Sequence, residues 1–338
     1  MRFPVFWQHR GLSSYLLSPL SVLFYALVQS RAWLFRHGYC KVQRVAVPVV
    51  VIGNISIGGT GKTPLIRYLA DALRQQGRQP GIISRGYGGS YQGVRQVLPG
   101  DDAKLVGDEP LLLARDLTCP VFICRDRVAA AQALLSDYPT VDVLLADDGL
   151  QHYRLGRDIE IAVIDGTRGL GNGCLLPAGP LRETPQRLAQ TAAIVIHGKM
   201  QQPLAAHPQT FTMHLTPGDT YQLKQPQQRK PLSAFQHQSL AAIAAIGHPQ
   251  RFFQMLHDSG LRFQSHALAD HYHHLEKIFA SIDTEVILLT EKDAVKLDDC
   301  FDDRIWVVPV SVDIAPDLAA WLNTQLATIK DKAWMPNY

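Results

Sequence analysis

The residue types and spacing that speak most directly of chemistry lie at positions 49–69, VVVIGNISIGGTGKTPLIRYL. An apolar run enters a loop with Gly58, Gly59, Thr60 and Gly61, continues through Lys62 and Thr63, and becomes an amphipathic pattern with Leu65, Ile66, Leu69 and Leu73 at helical spacing. This order suits a polyphosphate. Glycines let successive backbone N–H groups turn toward phosphate oxygens, and the start of the helix adds partial positive charge. In the pattern GxxxxGK[ST], the lysine, here Lys62, reaches the β- and γ-phosphates, and the Thr63 hydroxyl ligates Mg²⁺. Ser56 stands where that pattern has its first glycine. ATP and Mg²⁺ are therefore the expected cofactors.

About eighty residues further on, VDVLLADDG is an apolar run ending in Asp147 and Asp148. A carboxylate at the end of a neighbouring parallel strand is where a Mg²⁺ ligand belongs; a solvated Asp-Asp-Gly turn is the plain alternative. On the acceptor side a kinase needs a base. VGDEP offers Asp108 and Glu109, which can equally cap a helix, and ADHYHHLEK gathers Asp270, His271, His273 and His274, which can equally form a surface helix cap. No second His or Cys group completes a metal site with that cluster.

These groups must be positioned by ordered elements. Apolar, β-branched runs at 45–55, 80–84, 121–124, 141–146, 159–165 and 192–198 alternate with helical patterns. That alternation predicts a parallel sheet buried on both faces, an α/β domain like that of P-loop NTPases. HPQTFTMHLTPGDTYQL alternates around a Pro-Gly-Asp turn and reads as a β-hairpin. Further strand and helix patterns after it predict a smaller α/β domain. The expected division is 1–35, an N-terminal membrane-associated segment; 36–205, the P-loop kinase domain; 206–235, a hairpin linker; and 236–330, the smaller domain closing over the site.

The charge is uneven. The first 45 residues hold Arg2, Arg10, Arg31, Arg36, Lys41 and Arg44 with no acidic side chain, while the rest carries 27 basic against 30 acidic residues. A slightly acidic body argues against backbone tracking along nucleic acid, and no guanine-reading NKxD follows a suitable strand. The twenty uncharged residues 11–30 are too bulky at their end for signal cleavage. Pro19, several serines and arginines on both flanks favour a monotopic interfacial anchor over a spanning helix, with a packed domain helix as the remaining reading. Five scattered cysteines (Cys40, Cys119, Cys124, Cys174, Cys300) form no disulfide framework, which suits a reducing cytosol.

The ordered set GNISIGGTGKTP, SRGYGG, VGDEP, ADDGLQH, LLPAGPLRE, IGHPQRFF, ADHY and TEKDAVK resembles the tetraacyldisaccharide 4′-kinases, the lipid A 4′-kinases of the Gram-negative inner membrane, over nearly the whole chain. In that family Ser or Thr occupies the place of Ser56. The resemblance implies transfer of the ATP γ-phosphate to the 4′-hydroxyl of a tetraacylated glucosamine disaccharide 1-phosphate, at the cytoplasmic face of the inner membrane. It implies Asp108 as base paired with His271, and Asp147, Asp148 and Glu183 as holders of Mg²⁺. Gln151 and His152 would flank that site, Arg85 and Arg182 would face substrate phosphates, and Lys292 would meet anionic substrate or form a salt bridge. The implied partners are the lipid substrate and inner-membrane lipids, with no nucleic acid and no evident protein partner. The alternatives are a membrane-bound P-loop ATPase acting as a nucleotide switch and a soluble small-molecule kinase.

Overall fold

The computed structural model describes residues 4–297 and 302–333; Arg2 and Cys300 lie outside them. In chain order the helices are α1 Leu12–Arg36, α2 Lys62–Gln75, α3 Ala103–Val106, α4 Asp108–Asp116, α5 Arg127–Asp137, α6 Pro249–Asp258, α7 Leu275–Phe279, α8 Glu291–Ala294 and α9 Leu318–Ala333. The strands of the first part are β1 Val49–Gly53, β2 Pro80–Ser84, β3 Arg95–Val97, β4 Val121–Ile123, β5 Val143–Asp147, β6 Ile159–Asp165, β7 Ala193–His197 and β8 Thr210–Pro217. Those of the second are β9 Thr220–Gln222, β10 Arg229–Lys230, β11 Leu240–Ala244, β12 Gln264–Ala267, β13 Val286–Thr290 and β14 Ile305–Val308, after which comes β15 Val310–Ala315.

The six apolar runs read as strands become β1, β2, β4, β5, β6 and β7 of one sheet, ordered β15-β8-β7-β6-β1-β5-β2-β4-β3. β1 lies between β5 and β6, parallel to both. Its alternate residues face opposite layers: Val50 and Ile52 meet Leu65, Ile66 and Leu69 of α2, whereas Val49 and Val51 meet the side of α5 with Val128 and Leu134. A strand covered on both faces has no polar face to show, hence the unbroken apolar run. Leu69 is fully buried, so Leu69→Ala would cost roughly 2–5 kcal/mol.

The hairpin expected around the Pro217-Gly218-Asp219 turn within 206–235 does not form; β9 pairs instead with β10. β8 lies in the first sheet, parallel to β7 and antiparallel to β15, while β9 belongs to a second sheet ordered β10-β9-β14-β13-β11-β12. β15 returns to the first sheet, and Leu318, Leu322 and Leu326 of α9 enter the core beside α2. The second unit therefore runs from β9 to β14 and is inserted between β8 and β15, rather than extending to residue 330. The two crossings between units touch: Gly218 N donates to Pro309 O at 2.9 Å. Alternation at 210–217 reflects a strand with one face exposed, which looks the same whether its partner is local or a hundred residues away.

α1 is long and apolar enough to cross a membrane by length and composition, yet it lies docked along the first unit. Two of its serines, Ser14 and Ser21, face inward. Ser21 Oγ donates to Leu175 O (2.9 Å) and accepts from Ala178 N (3.0 Å), and Asn172 Nδ2 donates to Ser14 Oγ (3.1 Å). Its leucines face outward, with Leu12, Leu16, Leu20, Leu23 and Leu27 exposed. Near its C-terminal end Phe35 packs on Tyr153, with ring centroids 5.9 Å apart. Pro19 is tolerated inside the helix because Ser18 Oγ donates, at 2.7 Å, to Tyr15 O, the carbonyl that the missing N–H would have engaged.

Candidate active site

The phosphate loop is built around two left-handed glycines, Gly58 at φ +115° and Gly61 at φ +93°. At Gly61 a Cβ would meet His197 Nδ1 at 2.6 Å, so the turn into α2 demands glycine on both conformational and steric grounds. Ser56, where the general pattern has glycine, bridges Leu181 across the loop, and Ile57 N donates to Pro180 O at 2.9 Å. The segment LLPAGPLRE thus braces the loop from one side and α1 from the other. Lys62 opens α2 and its Nζ lies 3.4 Å from Asp148 Oδ1. Thr63 follows in the first turn.

Asp147 and Asp148 sit where β5 ends, beside β1. Asp148 adopts φ +47°, one of two non-glycine residues with positive φ among those described; the other is His271. Left-handed backbone in such residues is sparsely populated and gathers at functional sites. Burial, with Glu109 and Asp148 nearby, pushes the Asp147 carboxyl up to about 7, against Lys62 and the Ser84 hydroxyl bond. Burial also acts on Asp148, but Lys62, Arg182 and Arg127 outweigh it and hold Asp148 well below the usual carboxylate range. Asp147 Oδ1 and Asn54 Oδ1 are buried without a hydrogen-bond partner. Unspent oxygens beside a lysine and a threonine hydroxyl are the donor set of a hard divalent cation, so the residues fit Mg²⁺.

Glu183, expected among the metal holders, is committed elsewhere. Gln151 Nε2 donates to its Oε1 and Tyr153 Oη to its Oε2, both at 2.6 Å, with Arg187 Nε at 3.3 Å. No group of three His, Cys, Asp or Glu among the described residues has metal-holding geometry. Glu183 instead orients Gln151, whose Nε2 also reaches Asn54 O at 3.1 Å. Arg182 Nη1 pairs with Asp148 Oδ2 at 3.0 Å and reaches Gln151 Oε1 at 3.3 Å. His152 lies beside them, and burial and Arg127 push it down to about 4, so it is neutral at pH 7. Arg85 is exposed just after β2.

The second unit meets the first at several places, among them the Arg67–Glu291 pair at 3.0 Å, and two of them border the site. At one, His271 Nδ1 lies 3.0 Å from both carboxylate oxygens of Asp108, which is buried at the start of α4. Burial pushes the Asp108 carboxyl up, but Lys292, His271 and Lys296 outweigh it and hold it well below the usual range. Lys292 Nζ contacts Glu109 (2.7 Å), Asp270 (3.3 Å) and Asp108 (3.9 Å), so it forms the salt-bridge network that was one of its two expected roles. At the other place, Asp165 at the end of β6 pairs with His248 Nδ1 (3.0 Å) and Arg251 Nη2 (2.6 Å) of the second unit. Arg251 also contacts His197, whose Nδ1 faces Thr60 O at 3.0 Å, and Arg168 Nη2 donates to Gly247 O at 3.1 Å. Gly247 itself abuts Gly59 of the phosphate loop.

Sequence reasoning brought together Lys62, Thr63, Asp147 and Asp148, and separately Asp108 and His271. It missed Arg127, buried at the start of α5, whose Nη2 donates to Asp148 O at 3.4 Å. Its place after β4 was the available signal, since ligands of open α/β sheets gather outside the carboxyl ends of strands. It also missed the roles of Lys296, within TEKDAVK, and of His248 and Arg251, within IGHPQRFF, because the partners Asp108 and Asp165 lie far away in sequence.

A glycine loop between a buried strand and a helix, acidic residues at the end of the adjacent strand, and an Asp–His pair closed across two units define a P-loop nucleotide-binding protein with an Asp–His contact between its two units. Comparison with known proteins narrows this. The family model for tetraacyldisaccharide-1-P 4′-kinase matches residues 13–327. A tetraacyldisaccharide 4′-kinase of Herminiimonas arsenicoxydans is 48% identical over 325 residues, covering 91% of this chain and 90% of the relative. One from Chromobacterium violaceum is 44% identical over 328 residues, covering 95% and 96%. The crystal structure of LpxK from Aquifex aeolicus in complex with ATP superposes with a TM-score of 0.78 at 26% identity, covering 94% of this chain and 99% of that one. The chain belongs to the tetraacyldisaccharide-1-P 4′-kinase family.

Proposed function

We propose that this protein transfers the γ-phosphoryl group of ATP to the 4′-hydroxyl of a tetraacylated glucosamine disaccharide 1-phosphate at the cytoplasmic face of the inner membrane. The observation that carries the reading is the Asp108–His271 contact, contributed by two units and 3.0 Å long. Glu109, next to Asp108, is near enough to Asp147 to raise its pKa, which ties the pair to the nucleotide side. In the proposed reaction Gly58, Gly59, Thr60 and Gly61 cradle the phosphates and Lys62 leaves Asp148 to meet them. Thr63, Asp147 and Asp148 would hold Mg²⁺, which would supply neutralisation of charge on the phosphate oxygens. Asp108 accepts the proton of the acceptor hydroxyl, with His271 orienting the carboxylate. Arg182, Arg127 and Arg85 are available to phosphate oxygens. Closing the second unit over the first excludes water from the transfer.

The outward leucines of α1 support interfacial attachment. A helix held to the protein near both ends cannot span the bilayer without carrying the domain into it, whereas lying in the interface buries its apolar face and lets Arg31 and Arg36 meet anionic headgroups. The test is transfer of label from γ-³²P-ATP to tetraacyldisaccharide 1-phosphate in detergent micelles. Labelled lipid from the wild type, nearly lost in Lys62→Ala and Asp108→Ala, is expected. ATP hydrolysis with no labelled lipid would overturn the reading in favour of a nucleotide-switch ATPase.

A further inference from the structure

Directly behind Asp108 lies a lysine whose side chain is fully buried, Lys296. A buried ammonium is costly unless its protons find acceptors. Lys296 Nζ is 2.7 Å from Asp293 Oδ1, 3.4 Å from Ala245 O and 3.7 Å from Asp108 Oδ2. Asp293, itself buried, accepts through Oδ2 from Ala245 N at 3.0 Å and from Thr290 Oγ1 at 2.7 Å. Ala245 O also accepts from His271 N at 3.3 Å. Thr290, Asp293, Lys296 and Ala245 therefore form one polar knot inside the second unit. Both the His271 ring and the Lys296 charge reach Asp108 from it.

We propose that Lys296 is a positioning residue for phosphoryl transfer: its ammonium, locked by Asp293, seats His271 and makes closure of the second unit select an ionised Asp108. The proposal rests on Asp108 being the base. A protonated Asp108 would leave one ammonium proton facing a neutral acid in a dry site, so closure favours the carboxylate. The charged and titratable groups around Asp108 are His271 and Asp270 on the loop after β12, His273 beyond them, Lys292 on α8, Lys296 on the following turn and Glu109 on its own helix. Lys292 is shared with Glu109 and Asp270, whereas Lys296 faces Asp108 with Asp293 as its other carboxylate contact. Removing the Lys296 charge raises the Asp108 pKa.

The test compares full-length wild type, Lys296→Gln, Lys296→Arg and Asp108→Ala in the micelle transfer assay over a range of pH. Lys296→Gln is expected to lower kcat by about tenfold or more, with the KM for ATP nearly unchanged, and to move the acid limb of kcat/KM up by about one pH unit. Lys296→Arg is expected to return the acid limb toward its wild-type position. Should Lys296→Gln not fold, the pairing with Asp293→Asn, which removes both buried charges, is measured in its place with the same expectation. An inactive Asp108→Ala enzyme together with an unmoved acid limb in the Lys296 variant overturns the proposal alone. An active Asp108→Ala enzyme overturns the base assignment, and the proposal with it.

Discussion

Gly247→Ala separates the closing of the two units from the stability of either. Gly247 meets Gly59 backbone to backbone: a Cβ on Gly247 would lie 2.6 Å from Gly59 N and 3.0 Å from Gly59 Cα. Gly247 is not among the positive-φ residues, so alanine suits its own unit. No side chain can swing aside to relieve the clash. Restoring an ordinary 3.4 Å contact parts the two backbones by just under an ångström. A similar parting at Asp108 and His271, now 3.0 Å apart, carries that pair beyond good hydrogen-bond length. Misplacement by about 1 Å costs on the order of 10²-fold in rate, about 2.7 kcal/mol of activation free energy. The expected result is a kcat lowered by roughly that factor, with a melting temperature within a few degrees of wild type. Steady-state label transfer measures the first and calorimetry the second. A folded Gly247→Ala enzyme with wild-type kcat would refute the argument that this backbone contact belongs to the catalytic conformation.

Asp165, buried yet held down to about 2 by His248 and Arg251, stabilises the folded protein at pH above its unfolded value of about 3.9, and that contribution fades as pH falls toward 2. Its size is on the order of 2–3 kcal/mol, so Asp165→Asn should be less stable than wild type at pH 7 and should converge with it in acid, as followed by urea titrations. Ser21→Ala strands Ala178 N beneath α1, while Leu175 O keeps its bond from Gly179 N, and should cost about 1–3 kcal/mol of stability; an unchanged melting curve would deny that the helix is docked through Ser21. Leu20→Glu with Leu27→Glu changes exposed side chains, so it should leave stability within about 0.5 kcal/mol while sharply reducing flotation with anionic vesicles. Retained flotation would argue against this face as the membrane contact.

The first sheet was legible because strands buried on both faces announce themselves as unbroken apolar runs, as at Val49–Gly53. The place of β15 was not, because its pairing with β8 joins residues about a hundred positions apart and leaves no local trace. The phosphate loop and the Asp147–Asp148 pair were legible from spacing, because their chemistry depends on residues adjacent in sequence. Asp108 and His271 came forward as separate candidates, and their pairing rested on resemblance, since 163 residues separate them. Glu183 was legible as a polar group near the site but not as the partner of Gln151 and Tyr153. Arg127 was hidden because a charge is buried only where tertiary contacts answer it, and Lys296 because its neighbour Asp293, three residues before it, reads as an ordinary surface pair while Asp108 and Ala245 lie far away in sequence.

The insertion of one unit between β8 and β15 also sets an order of assembly during synthesis. The ribosome makes the phosphate loop, its sheet through β8 and the whole second unit before residues 310–333 appear. Until then β8 is an unpaired sheet edge and α2 lacks the cover of α9, a state open to edge-to-edge association. The phosphate-loop unit therefore reaches its finished form only once the second unit exists. A nascent chain has no stage at which the phosphate-loop unit is complete without the unit that brings His271 to Asp108.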